Sequence, residues 1–140
     1  AENYQVFGAE FSRLWGAYQL EAEYIINRVK PRDNSAVTLD GWHVQLNYFL
    51  TGQSRSYSME SGSFGAPEMK DDESAWQVAA RCSSIDLNAD GISGGKENNI
   101  SFALNWFLNK NIRISTNYVH ASPSKGASTD TLALRLQTVF

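Results

Sequence analysis

The chain has 140 residues, about one domain's worth, with 42% hydrophobic, 12% aromatic and 19% charged residues and a formal net charge of −3. Disorder needs fewer apolar residues and a larger net charge, and 12 Lys and Arg against 15 Asp and Glu leave no overall cationic surface for nucleic acid, which is not an expected partner. No run approaches the roughly 18 apolar residues of a membrane-spanning helix, and Ala1-Glu2-Asn3-Tyr4 lacks the basic and apolar blocks of a signal peptide; β-barrels escape this test because their strands alternate.

In chain order, alternating polarity predicts strands at Gln5 to Ser12, Ala17 to Asn27, Thr38 to Leu50, Ala75 to Ser84, Asn99 to Leu108, Ile112 to Ala121 and Thr131 to Phe140, each long enough to cross a bilayer at a tilt. Leu14-Trp15-Gly16 and Asn109-Lys110-Asn111 read as tight turns at one rim. Arg28 to Val37, Ile85 to Asn98 and Ser122 to Asp130 read as long loops at the other. Thr51 to Ser74 falls on the short-turn side and is expected to be a folded inner excursion.

Side chains alternate across a strand, so each run divides into two faces. One is almost free of charge: Phe7 and Phe11, Tyr18 to Tyr24, Trp42 to Leu50, Trp76 to Cys82, Ile100 to Leu108, Ile112 to Tyr118 and Leu132 to Phe140, at alternate positions. The opposite face carries Glu10, Glu21, Glu23, His43, Arg81, Arg113 and Arg135, the candidate lining of a water-filled pore. Period two alone does not distinguish a soluble core from a lipid-facing surface. The placing of the aromatics does. Phe11, Tyr18, Tyr48, Trp76, Trp106 and Phe140 lie toward the short-turn end and Tyr24, Trp42 and Tyr118 toward the long-loop end, with aliphatics between them. Two such girdles are expected where amphipathic rings settle at lipid–water interfaces. All five lysines fall in predicted connections, and the strand arginines take the polar face. The expected fold is all-β, a transmembrane antiparallel β-barrel.

The stretches FSRLWGAYQLEAEY (11–24), GWHVQLNYFLTG (41–52), AWQVAARCSSIDL (75–87) and NNISFALNWFLNKN (98–111), then Tyr118-Val119-His120 and a last strand ending in Phe140, occur in a specific order and spacing. In these the sequence resembles the C-terminal third of the phosphate- and polyphosphate-selective porins of Gram-negative outer membranes, the porin O/P family. The resemblance implies a trimeric barrel of about sixteen strands that passes small anions passively, with the terminal Phe140 read by the outer-membrane barrel assembly machinery. It implies no cofactor and no catalysis. Seven strands do not close a single-chain barrel, which uses an even number. The chain therefore reads as the last seven of a longer polypeptide, with the family's selectivity residues expected largely in the preceding part.

Three features have bland and functional readings. Asp86 to Glu97 satisfies the calcium-loop pattern D-x-[DN]-x-[DN]-G-x₅-E, but strands flank it where helices should, which favours a hairpin loop. His120 and Ser122 have the spacing of a lipase His/Ser pair on a barrel surface, with no orienting third residue identifiable; an interfacial His and a loop Ser is the plain reading. Cys82, the lone cysteine, takes a lipid-facing slot and forms no internal disulfide or multi-cysteine zinc site. The competing classes are a soluble all-β binding domain, which would bury the apolar face, and a barrel-surface lipase.

Overall fold

The computed structural model describes residues 3–30, 36–58, 60, 63–70 and 73–138. Nine strands run through it: β1 (Asn3–Trp15), β2 (Tyr18–Lys30), β3 (Val37–Phe49), β4 (Arg55–Ser58), β5 (Ser63–Pro67), β6 (Ala75–Ala89), β7 (Ile92–Phe107), β8 (Ile112–Pro123) and β9 (Thr129–Thr138). Seven form one sheet in the order β1-β2-β3-β6-β7-β8-β9, every neighbour antiparallel, while β4 and β5 make a separate two-stranded ladder. No described helix is long and apolar enough to cross a membrane, which says nothing of strands.

The seven expected strands are all present, and most are longer than the alternation indicated. The largest departure is Ile85 to Asn98, expected to be a long loop. It is the tip of one hairpin: β6 runs to Ala89, the chain reverses at Asp90 and Gly91, and β7 starts at Ile92. Gly91 takes φ +76°, the left-handed conformation such a reversal demands. Below the turn the ladder slips between Asp86↔Lys96 and Asn88↔Ser93, setting Gly94 and Gly95 opposite Leu87 as a bulge in β7; a Cβ on Gly94 would lie 2.5 Å from the Leu87 carbonyl oxygen, so only glycine fits there. The calcium pattern is thereby spread over two strands. The Asp86 carboxylate accepts hydrogen bonds from the Asn88 backbone N–H (2.9 Å) and side-chain Nδ2 (2.9 Å), and the Asn88 side-chain oxygen accepts from the Gly95 N–H (3.1 Å). Asp86 Oδ1, which takes both of its bonds, and Asn88 Oδ1 are thus engaged by the hairpin itself.

Longer strands also correct the sorting of charges. Lys30 lies in β2 and Lys96 in β7, not in connections. Arg13, outside the expected first strand, pairs with Leu20 on the apolar face and reaches over the Trp15 ring (6.0 Å) beside the turn at Gly16.

The registers run straight across the sheet, so the two faces are continuous. Leu20↔Leu46↔Ala80↔Phe102↔Tyr118↔Leu132 is one row of the apolar face, and Ser12↔Glu21↔Gln45↔Arg81↔Ser101↔Val119↔Thr131 one row of the other. Burial is inverted relative to a soluble domain. Trp42, Leu46, Leu104 and Leu134 are exposed, whereas Gln19, Asn47, Gln77 and Ser115 are buried. Among the described residues no enclosed interior receives the apolar face, as a soluble binding domain would require. Among the described residues one buried apolar cluster, Phe49, Ala75 and Phe107 with Ala17 and Met69 against it, sits where the Thr51 to Ser74 excursion folds back. The Thr51 hydroxyl accepts from the Trp76 N–H (3.0 Å), and the Leu50 N–H donates to the Trp76 carbonyl (2.8 Å), tying both ends of the excursion to the rim.

Candidate functional site

The polar face becomes a site because the excursion returns to it. Arg55, at the start of β4, is carried over the short-turn end of the sheet, where its guanidinium lies 5.6 Å from the Phe49 ring centroid and 6.0 Å from that of Phe107. Arg113 reaches the Phe107 ring from β8 at 5.4 Å. Both aromatic faces thus hold cations that would otherwise repel one another. Burial, then the neighbouring Arg113, push the Arg55 guanidinium below its ordinary pKa, and Glu21 counters part of that shift. An arginine starts so high that it stays charged at neutral pH.

Beneath Arg55 a line of side chains crosses three strands. The Ser115 hydroxyl donates to the Asn105 oxygen (2.6 Å), and the Asn105 amide donates to the Gln77 oxygen (3.0 Å). The Gln77 amide nitrogen ends the line with no acceptor, although the residue is only 2% exposed. The Arg55 Nε–H is likewise buried without an acceptor. Both residues line one groove of about 430 Å³, together with Arg81, Arg113 and a single carboxylate, Glu21, which accepts from Gln19. Buried donors without acceptors are costly, and an aligned chain of hydrogen bonds strengthens its terminal donor. The groove suits an anion.

The expected pore-lining residues all take the polar face, but in two groups. Arg81 and Arg113 join the groove. Glu10, Glu23 and His43 lie nearer the long-loop end, with the His43 ring nitrogen 3.5 Å from the Glu23 carboxylate. Arg135, on β9, belongs to neither group; it shares a row with Ser115 of β8, while Arg113 is bound to Gln137 (2.6 Å). Sequence reasoning missed Arg55, Phe49, Phe107 and Gln77. Gln77 was visible as a polar alternate of its strand; Arg55 was not, since its place depends on the chain reversing at Thr51 to Ser74.

On the apolar face, rings gather at the short-turn end. Trp15 stacks on Tyr18 (centroids 5.7 Å apart), Tyr18 on Tyr48 (4.3 Å) and Trp76 on Trp106 (5.1 Å, planes within 7°). Trp15, expected in a turn, takes the rim position, while Phe11 lies four residues inward. Phe140 lies outside the described residues. Toward the other end Tyr24 donates to Asp40 (3.2 Å) and Tyr118 to Asp130 (2.7 Å), so both phenols point to the rim, with Trp42 paired beside Tyr24. A double-mutant cycle on Trp76→Ala and Trp106→Ala should return a coupling of about 0.5–1.5 kcal/mol when unfolding is followed in lipid. A coupling of zero would reduce the pair to a coincidence of register.

The structure also supplies a third partner for His120: its Nδ1 lies 2.7 Å from the Asp130 carboxylate. Among the described residues, no hydrogen bond joins the Ser122 hydroxyl to the ring. Cys82 is free and exposed on the apolar face.

A family model described as phosphate-selective porin O and P matches residues 1–140. The chain belongs to that family. Porin O of Pseudomonas aeruginosa is 30% identical to it over 155 residues, an alignment covering 96% of this chain and 35% of the relative. The chain thus spans about a third of the length of the curated porin it matches. Membership in the porin O and P family locates the protein in the bacterial outer membrane and identifies the sheet as part of a transmembrane β-barrel.

Proposed function

We propose that this porin chain forms part of the wall of a water-filled channel through which small anions, phosphate and polyphosphate among them, diffuse passively. The polar face is the pore lining, with Arg81, Arg113, Arg135, Glu10, Glu21, Glu23 and His43 exposed to permeating ions, and Arg55 added to them. The apolar face meets acyl chains, its rings lying at the two interfaces. The name of the matched family supports the solute class.

The observation that carries this reading is the groove on the polar face lined by three arginines, Arg55, Arg81 and Arg113, against one carboxylate, Glu21. Guanidinium groups gathered along one wall stabilise a passing anion and raise its local concentration. The β4–β5 hairpin narrows the conduit from the short-turn side: Tyr57 and Phe64 of the hairpin line a second recess with Glu10, Glu21, Glu23 and His43. Passive diffusion makes the protein a channel and not an enzyme. A homotrimer, and recognition of Phe140 by the barrel assembly machinery, are part of the same reading and rest on the family resemblance.

The test is the reversal potential of the full-length protein in a planar bilayer separating unequal potassium chloride solutions. An anion-selective value is expected. Equal permeability to chloride and potassium would overturn the selectivity, and failure to conduct would overturn the channel.

A further inference from the structure

The polar face does not stay polar toward the long-loop end. Ile25, Leu39, Ile85 and Leu87 turn the same way as Glu23, His43 and Arg81, and together these residues line a recess of about 440 Å³. Gly41 opens its floor: a Cβ there would sit 3.2 Å from the Ser84 carbonyl oxygen, so β3 and β6 lie close with no side chain between Ile25 and Ile85 in the row Gly8↔Ile25↔Gly41↔Ile85. Water-filled conduits gain nothing from exposed isoleucines, so this apolar wall calls for an occupant.

Its other groups describe that occupant. Arg81 makes no hydrogen bond or ion pair in the described structure and lines both this recess and the Arg55–Arg113 groove. A free guanidinium beside a ring-sized apolar wall fits an organic anion better than an inorganic one.

Resting on the channel reading, we propose that this recess is an entry subsite for phosphate monoesters bearing a small apolar group, with the phosphate on Arg81 and the apolar group against Ile25, Leu39 and Ile85. Inorganic phosphate uses only Arg81 and moves on to the Arg55–Arg113 groove. A monoester gains the wall as well.

The test is block of the chloride current of the full-length protein in a planar bilayer by phenyl phosphate and by inorganic phosphate, both added on the long-loop side. Phenyl phosphate should bind about tenfold more tightly, the effect of removing roughly 55 Å² of ring surface from water. Ile85→Ser should erase that ratio, and Arg81→Gln should weaken both ligands. A conducting channel that binds the two phosphates equally, or whose preference survives Ile85→Ser, overturns the subsite and leaves the channel standing. A protein that forms no channel overturns both.

Discussion

Replacing Arg55 with glutamine is expected to lower the anion-over-cation permeability ratio of the full-length channel by roughly threefold to tenfold. At about 6 Å a unit charge contributes ~0.7 kcal/mol in bulk water, and about twice that where neighbouring apolar groups halve the effective dielectric. The rings of Phe49 and Phe107 are those groups, and they hold the charge in place. Arg55→Lys separates charge from geometry: the ammonium keeps the sign but loses the planar contact with both rings, so part of the selectivity should return. Raising the salt to about 1 M shortens the screening length to ~3 Å and should shrink the difference between wild type and variant. A reversal potential that Arg55→Gln leaves unmoved in dilute salt would remove Arg55 from the permeation path.

That residue also marks where sequence reasoning stops. Inside the bilayer, each strand separates lipid from water, so period two is enforced at every step and the seven crossings could be read directly. Beyond the bilayer both faces meet water. There, Asp86 to Glu97 is held by ladder pairs and by the Asp86 and Asn88 turn, and its Gly, Ser, Asn and Asp composition imitates a loop. The same loss of contrast hid Arg13 and Trp15 at the other rim, where a strand continues past the last position its neighbours make obvious. Arg55 is hidden for a different reason. Its partners Phe49 and Phe107 lie 6 and 52 positions away in number, and only the return of the excursion joins them. The alternation leaves Ile85 to a loop, so the wall it makes with Ile25 exists only once the register sets the two side by side across Gly41.

Consecutive alanines on β6 offer the sharpest test of which face meets lipid. Ala80 pairs with Leu46 and Phe102 and is exposed on the apolar face; Ala79 pairs with Asn47 and Ala103 and lines the arginine groove. Both sit in the middle of the crossing, between the Trp76–Trp106 stack and the rim at Asp86. The same substitution, alanine to arginine, should therefore have opposite outcomes one residue apart. Ala80→Arg places a guanidinium among acyl chains and should cost about 2–4 kcal/mol in urea unfolding from lipid vesicles. Ala79→Arg enters a hydrated groove, where its cost is limited to repulsion from Arg81 and Arg113, and it should make the channel more anion-selective. Strand propensity, side-chain entropy and volume change are common to the two variants and cancel in the comparison. A soluble sheet with its apolar face in water would show no such asymmetry, and a sheet inserted with the faces reversed would show the opposite one. Equal costs, or a larger cost for Ala79→Arg, would therefore refute the assignment of faces on which the conduit depends.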